Sequence, residues 1–364
     1  MKKLIFWISG GISFIGFLIL LFLSVRLSHS PVEQLAAERW SAKGDAAQVS
    51  CFFSTNASIT EDTIREFEFS LDGALQEASI TSASENPTAR LWADAYSADG
   101  RITLTSDKAS VEADAIGIGG DFFIFHPLRL LSGSYFSGND INQDYVVIDE
   151  DMAWQLFGSN DVDGMLVYIQ GIPHIVTGVV KRPEGRLEKG AGLSSTVVYV
   201  SYKTLNELGN NNGINHFEIV MPNPVSNFAV NMVREQLGQD EQQVEILENS
   251  NRFSFLNELK VIAAFGTRSM NGKAIIYPYW ENIARGYEDV IALMLVFMIL
   301  LLMYPVILLV VLFAHWWKHK GWTVKSVFLK AKDRWERFLE KKRAERNIRK
   351  ESKKSAKKEE GEFL

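Results

Sequence analysis

Two uninterrupted apolar stretches dominate the pattern of hydrophobic and polar positions along the chain. The first covers Leu4–Leu27 and carries no charge before Arg26, and the second covers Val290–Phe313 and carries none. About 20 helical residues cross a hydrocarbon core about 30 Å thick. Because backbone groups in lipid must bond within their own segment, the pattern predicts transmembrane helices over 1–28 and 290–313.

The first stretch also has features of a signal peptide, since Lys2 and Lys3 would form its basic start. Its apolar part exceeds the roughly 7–15 residues usual for a signal sequence. The following SVRLSHS offers no clear cleavage site with two small residues. These features favour an uncleaved anchor over a signal peptide.

The long segment between the apolar stretches alternates strand-like and helix-like patterns. Ile64, Phe67, Leu71 and Leu75 recur three or four residues apart after Thr60, which predicts a capped helix over 60–78. Similar patterns give two strand–helix–strand units, 48–82 and 215–248, on either side of a strand-rich insert at about 89–190. The sequence therefore predicts an α+β domain over 47–250.

Three finer predictions concern the insert and the segments around the domain. Within the insert, strands over 89–97 and 101–106 are separated by a predicted turn at Ala98-Asp99-Gly100. Residues 29–46 predict a stalk helix that continues the first span outward. Residues 251–289 predict a second stalk helix with a linker that leads into the second span.

Charge predicts the orientation of these segments. Residues 27–313 contain 18 Lys and Arg against 36 Asp and Glu, whereas residues 314–364 contain 17 against 8. Basic flanks of membrane helices stay in the cytoplasm. We therefore expect a two-pass protein of the bacterial cell membrane with both termini in the cytoplasm and residues 28–289 outside.

The cytoplasmic tail has a helical pattern of its own. Val324, Phe328, Trp335 and Phe338 recur at helical spacing, and lysines and arginines fill the other faces. This pattern predicts a basic amphipathic helix over 314–347, and these four residues are candidate contacts for a partner or an anionic membrane surface. A solvated helix that only fixes topology is the alternative. Residues 348–364 contain few apolar positions, which predicts a disordered tail.

Motifs for catalysis or for metal binding are missing from the sequence. The six histidines are not in HExxH or a comparable ligand spacing, and no phosphate-binding loop or nucleophile motif is readable. The single cysteine, Cys51, lies in the strand-like VSCFF and reads as a buried thiol. We therefore expect no catalytic residue, no cofactor, no metal ligand and no nucleic-acid partner. A membrane-anchored hydrolase is the least favoured alternative.

One region carries a resemblance to a known family. Residues 115–180 run from AIGIGGDFFIF through VVID and WQLFG to HIVTGVV. This order resembles the periplasmic core domain of MacB-like ABC transporter subunits of the FtsX/MacB class. SCFFSTNASITEDTIREF, STVVYVSYKTLNEL and the strand–helix unit from His216 extend the resemblance over about 45–250. The residues that carry the motif in structural positions are Gly133, Leu156, Phe157, Gly158, Gly164 and Gly178.

The resemblance implies a fold and a role. It implies two β-α-β porter-like halves around the insert, in a permease component that transmits movement. Family transporters carry further spans after this domain, and MacB itself carries an ATPase domain, neither of which this sequence shows. We therefore expect a two-span, non-catalytic subunit of an ABC transport system. Its ectodomain would bind substrate, adaptor or a sister subunit, as a homo- or hetero-oligomer beside membrane subunits and an ATPase encoded separately. A stand-alone sensor or scaffold of the cell envelope is the alternative.

Overall fold

The computed structural model describes residues 2–80, 90–193, 195–268, 273–319 and 328–344. The helices are α1 (Lys2–Ser28), α2 (Ala36–Trp40), α3 (Glu61–Glu77), α4 (Phe122–Phe125), α5 (Glu150–Phe157), α6 (Arg186–Gly190), α7 (Tyr202–Leu208), α8 (Phe228–Leu237), α9 (Phe255–Ala264), α10 (Tyr279–His319) and α11 (328–344), and single 3₁₀ turns cover Val32–Gln34 and Asn249–Asn251. The strands are β1 (Ala46–Phe53), β2 (Ala93–Thr105), β3 (Ser110–Gly120), β4 (Arg129–Gly133), β5 (Tyr145–Asp149), β6 (Leu166–Ile169), β7 (Ile172–Lys181), β8 (Val197–Ser201), β9 (Asn210–Asn211), β10 (His216–Pro222) and β11 (Val244–Glu248).

The two predicted strand–helix–strand units form one half of the ectodomain. Their strands pair in the order β11-β1-β10-β2, and every neighbouring pair is antiparallel. With α3 after β1 and α8 after β10, this is the strand order of a β-α-β-β-α-β ferredoxin-like unit. Helices α3 and α8 contact each other. The predicted α+β ectodomain is confirmed.

The insert forms the other half and shares the long hairpin of β2 and β3. Pairing continues from β3 to β8, β5 and β7, and β6 then joins β7 back to β2. The ladder therefore closes on itself through six strands, which removes the exposed edges an open sheet would present. Strand β4 adds to β7 outside this circuit.

The main hydrophobic core lies between the ferredoxin-like sheet and its two helices and continues into the insert, where Val146, Leu156 and Val176 belong to it. Ile64, Phe67, Leu71 and Leu75 are all buried on α3, as the spacing predicts. Thr60 caps this helix, since its hydroxyl accepts a hydrogen bond from the backbone N–H of Thr63. Cys51 is fully buried in the same core, as expected.

The first predicted stalk differs in the structure. Helix α1 ends at Ser28, and Pro31 separates it from the short 3₁₀ turn and α2. Proline fixes its own φ and disfavours helical geometry in the residue before it, so the helix stops here. Instead of extending the span outward, α2 packs with Ala36 and Ala37 on strands β1 and β10.

The predicted turn at Asp99-Gly100 is also absent, because β2 runs through it without interruption. A Cβ at Gly100 would lie 2.5 Å from the backbone oxygen of Asn210. The glycine therefore allows a close approach of β9 rather than a change in chain direction.

Two of the described helices are long and apolar enough to cross a membrane, Phe6–Ser28 within α1 and Tyr279–His319, which is α10. They flank the ectodomain, which agrees with a two-pass membrane protein. The chain divides into two compact units, residues 16–299 and the described parts of 1–15 with 300–364. In the second unit the hydroxyl of Ser13 donates to the backbone oxygen of Leu301 at 2.7 Å. Pro305 has no N–H to donate to that oxygen, so Ser13 replaces the missing helical bond.

Candidate functional site: the stalk junction

The outer face of the ferredoxin-like sheet carries buried polar side chains beside apolar ones such as Ala95 and Val220, whereas the inner face is apolar. Along β10, Phe217, Ile219 and Met221 point into the main core, while His216 and Glu218 alternate with them and point the other way. Strand β1 repeats the pattern with Gln48 and Ser50, both buried. Buried polar side chains on one strand face need partners, and Gln48 finds them in the backbone of Glu33 and Ala36, before and at the start of α2. We call the contact of α2, α9, the turn at Asn249–Asn251 and residues 279–289 with this face the stalk junction.

A buried group of two histidines and one carboxylate lies at the centre of the stalk junction. His126, after α4, has Nε2 at 3.0 Å from Glu218 Oε2, and His216 Nε2 lies 3.4 Å from Glu218 Oε1. Ser50 donates to Glu218 Oε1 at 2.5 Å, and Asn249 donates to Ser50. All three groups are at most 1% exposed. Burial alone would raise the pKa of the Glu218 carboxyl, but the neighbouring His126 and His216 outweigh it and hold that pKa below its ordinary value.

Trp280, in the first turn of α10, covers these histidines. Its ring centroid lies 4.3 Å from that of His126 and 5.1 Å from that of His216. Phe122 packs against the same indole at 5.8 Å. The start of α10 is thus fixed on the sheet by an aromatic side chain placed directly over the buried charges.

A second buried group joins α10 to the turn before α9. Arg252 donates to both oxygens of Glu281, at 2.6 and 2.7 Å, and to Glu288 at 2.5 Å. It also reaches Gln34 at 3.1 Å. Arg285, one turn along α10, donates to Glu281 at 2.6 Å and to Glu245 of β11 at 3.0 Å. A bidentate guanidinium–carboxylate contact constrains the relative orientation of its two groups as well as their distance. This network therefore fixes the orientation of the first turns of α10 on the domain.

An open cavity of about 830 Å³ lies next to the Arg252 network. It is bordered by Lys260 and Ala264 of α9 and by Asn282, Arg285 and Asp289 of α10. Glu258 of α9 is buried nearby, and both of its carboxylate oxygens lack a hydrogen-bond partner among the described residues. Burial raises the pKa of Glu258 to about 7, against the opposing effect of Arg268. Arg268, four residues after the end of α9, forms ion pairs with Glu288 and Asp289 of α10.

The sequence did not reveal this site, because its members are far apart along the chain. Its one local signal is His216-Phe217-Glu218, where two polar residues alternate within a strand of otherwise apolar residues. A glutamate in the middle of such a strand indicates a buried polar contact on the second face. His126 gives no comparable signal, since it follows an apolar turn of helix.

The structure places the predicted family-motif residues in the insert. Gly133 and Gly178 face each other across β4 and β7, and a Cβ at Gly178 would lie 2.6 Å from the oxygen of Ser134. Leu156 is fully buried at the end of α5, Phe157 is half-buried, and Gly158 ends the helix with φ 79°. Gly164 has φ 79° and precedes β6. These residues shape the insert and lie outside the stalk junction.

The predicted tail contacts lie on a separate helix. Phe328, Trp335 and Phe338 are exposed on α11, and the rings of Trp335 and Phe338 lie 5.9 Å apart. Val324 and the predicted disordered tail at 348–364 lie outside the described residues. Contact of α11 with a partner or with lipid therefore stays a prediction.

Comparison with known proteins identifies the family of this domain. Macrolide export ATP-binding/permease protein MacB of Chromobacterium violaceum is 32% identical over 99 residues, which cover 27% of this chain and 15% of that protein. MacB of Pasteurella multocida is 33% identical over 98 residues, covering 26% of this chain and 14% of that protein. The matched segment is therefore a small part of these relatives' length.

Solved structures of transporter ectodomains also align with the chain. The extracellular domain of the noncanonic ABC-type transporter YknZ from Gram-positive bacteria aligns with 17% identity over 55% of this chain and 99% of that chain, with a TM-score of 0.36. The periplasmic region of MacB from Actinobacillus actinomycetemcomitans aligns with 17% identity over 62% of this chain and 94% of that chain, with a TM-score of 0.37. A family model described as the MacB-like periplasmic core domain matches residues 29–239. That match covers more than half of the chain and confirms the predicted resemblance, so the protein belongs to the MacB-like periplasmic core domain family.

Proposed function

We propose that this protein is a non-catalytic membrane subunit of a MacB-like ABC transport system, in which the ectodomain binds substrate, an adaptor or a sister subunit. ATP hydrolysis by a separate subunit drives movement that α10 carries to the ectodomain. The membrane relatives with matching segments are ATP-binding/permease proteins by name, which supports the same class of system. In this proposal both termini face the cytoplasm and residues 28–289 face outside.

The observation that carries the proposal is that α10 joins two different parts in one helix. Its first turns hold Trp280, Glu281 and Glu288, which are buried in the stalk junction, and its later residues form the apolar stretch 290–313. One helix spans both parts, and the backbone hydrogen bond that Pro305 removes lies within the apolar stretch. A displacement of the apolar stretch along the helix axis would therefore move Glu281 and Glu288 relative to Arg252, because a hydrogen-bonded helix is stiff over this length.

Helix α11 is the candidate contact with the cytoplasmic partner or with the anionic membrane surface. Its aromatic residues Phe328, Trp335 and Phe338 are exposed beside many basic residues. An apolar stripe with basic flanks suits both a partner groove and anionic lipid. Val324 extends the same stripe by sequence.

Isolation of the native complex tests the proposal. The full chain is crosslinked in its native membrane, extracted in detergent and purified by a tag, and the co-purifying chains are identified and assayed for ATP hydrolysis. We expect a chain with ATPase activity together with a multi-span membrane subunit. A complex without any ATP-hydrolysing chain would overturn the proposal and favour the envelope sensor or scaffold.

A pair of insertions tests the mechanical role of α10. Three glycines inserted after Asp289 interrupt the helix between the stalk junction and the apolar stretch, and we expect loss of transport or of coupled ATPase activity with the complex still assembled. The same insertion after Asn139, in an exposed turn of the insert, is the matched control and is expected to leave activity unchanged. Equal activity of the two variants would contradict coupling through α10.

A further inference from the structure

The buried histidines and carboxylate of the stalk junction are arranged as ligands around a common point. We propose that His126, His216 and Glu218 bind one divalent transition-metal ion, and that the ion is Zn²⁺. The ligand atoms of the three side chains all lie within 4.8 Å of one another. Four-coordinate zinc holds nitrogen and oxygen ligands at about 2.0–2.2 Å, which places neighbouring ligand atoms about 3.3 Å apart. The separations of 3.0 Å between His126 Nε2 and Glu218 Oε2 and of 3.4 Å between His216 Nε2 and Glu218 Oε1 are close to that value.

The hydrogen bonding of these atoms also points to an ion. Nε2 of His126, Nε2 of His216 and Oε2 of Glu218 have no hydrogen-bond partner among the described residues, although each lies near another member of the group. An unsatisfied buried polar atom costs about 1–3 kcal/mol, and one ion at the common point would satisfy all three.

The donor types and their surroundings select the metal. Two imidazoles and one carboxylate suit zinc, whereas Ca²⁺ and Mg²⁺ prefer oxygen ligands alone. Residues around metal ligands usually fix them by hydrogen bonds. Here Ser97 Oγ lies 3.4 Å from His216 Nδ1, and Ser50 holds Glu218 Oε1 while Asn249 holds Ser50. Three protein ligands leave a fourth position for a small ligand such as water.

The position of the site determines which elements a bound ion would connect. His216 and Glu218 belong to β10, His126 follows α4, and Trp280 of α10 lies against both imidazoles. An ion would therefore tie two elements of the domain together directly beneath the first turn of α10. The metal site does not depend on the proposed transport role, because it rests on the ligands alone.

Metal analysis of the full-length protein tests this site. The chain is expressed with zinc in the medium, purified in detergent and dialysed against metal-free buffer, and metal per chain is measured by mass spectrometry. His315 and His319 lie one helical turn apart with ring centroids 4.4 Å apart and are a second place where zinc could bind, so all proteins carry H315N and H319N. We expect about one zinc per chain in this background.

Substitutions of the ligand residues distinguish zinc bound at this site from zinc bound elsewhere on the protein. Glu218→Gln keeps the shape of the side chain, and we expect it and His216→Asn to weaken zinc affinity by at least about a hundredfold, measured by competition with a chromophoric chelator. His174→Asn is the matched control, because His174 is equally buried but bonds to the backbone oxygen of Ile172 outside the group. It is expected to keep one zinc.

Thermal unfolding keeps the test valid if a variant folds poorly. Removing zinc with a chelator should lower the unfolding temperature of the background protein and of H174N, and should leave that of E218Q unchanged, because only proteins that bind the ion in the folded state gain from it. Folded background protein without stoichiometric zinc would overturn the proposal. So would E218Q that retains zinc with unchanged affinity.

Discussion

The two faces of the β11-β1-β10-β2 sheet are covered by helices in different ways. On the inner face, α3 and α8 pack apolar side chains such as Phe67 and Leu71 against Phe217, and the rings of Phe67 and Phe217 meet edge to face at 5.1 Å. On the outer face, Trp280 of α10 lies over His126 and His216 beside Glu218, and Arg285 of α10 donates to Glu245 of β11. The central strands β1 and β10 are buried on both faces, so burial alone does not distinguish the two faces.

The difference lies in how each contact responds to displacement. An apolar contact has no fixed direction and loses energy gradually with exposed area. The energy of a buried ion pair depends strongly on the distance and orientation of its two groups, and removing one group leaves an uncompensated charge. The face that holds the membrane-proximal helix thus uses the contacts that are more sensitive to position, which suits a junction that must report movement.

The largest expected effect is on the polar face. Arg252→Met keeps much of the side-chain volume but removes the guanidinium that the two buried carboxylates share. Among the described residues, Glu281 is then left with Arg285 alone, and Glu288 with Arg268 alone. We expect the free energy of unfolding to fall by about 3–5 kcal/mol, measured by denaturant titration in detergent at pH 7. Arg65→Met, which breaks an exposed ion pair with Asp62, is the control and should cost at most about 1 kcal/mol. Similar losses of stability for the two variants would show that the buried Arg252 network contributes no more to stability than an exposed ion pair.

The next prediction addresses the apolar face. Leu71→Ala removes a fully buried side chain from α3, and we expect a loss of about 2–5 kcal/mol that is the same at pH 5 and pH 8. Phe69→Ala removes a larger side chain from the exposed side of the same helix and should change stability by less than about 0.5 kcal/mol. A pH-dependent loss for Leu71→Ala would contradict the division of the two faces into apolar and polar contacts.

The inner face was predictable from the sequence and the outer face was not. Ile64, Phe67, Leu71 and Leu75 lie within one helix, where a period of 3.6 residues identifies the buried side directly. Arg252 and Glu281 are 29 residues apart, and His126 and His216 are 90 apart, so no local period links them. Two polar residues become neighbours only when the sheet register and the path of α10 are known.

The glycine motif and the first stalk show two other limits of sequence reasoning. Gly158 at the end of α5 was readable, because a positive φ after a short amphipathic helix is a common helix end. The predicted continuation of the first span into a stalk helix over 29–46 was wrong, and Pro31 gives the physical reason.

A pH-dependent effect is expected at Glu258, next to the Arg252 network. The folded pKa of about 7 lies above the ordinary 4.5 of a glutamate, because burial disfavours its charged form. The folded state then binds the proton more tightly than the unfolded state. This contribution to stability is complete below about pH 4.5 and is lost as pH rises through 7.

Glu258→Gln removes that dependence. We expect the variant to be more stable than the wild type by about 1 kcal/mol or more at pH 8, and nearly equal to it at pH 5, by denaturant titration at both values. Glu207→Gln on the exposed side of α7 is the control and should show no such difference between the two pH values. Equal effects of Glu258→Gln at pH 5 and pH 8 would exclude a buried carboxyl that becomes charged between them.

The smallest predicted effect concerns a single polar contact in apolar surroundings, between Ser13 and the oxygen of Leu301. Ser13→Ala should lower stability by about 0.6 kcal/mol, and at most about 1.7 kcal/mol. Pro305→Ala supplies an N–H that bonds the same oxygen within α10, so Ser13→Ala should cost almost nothing in that background. Ser9→Ala, which breaks the contact with the hydroxyl of Tyr304, is the control and should cost the same in both backgrounds. A double-mutant cycle on detergent-solubilised protein measures the coupling, and a coupling of zero would show that Ser13 does not replace the bond that Pro305 removes.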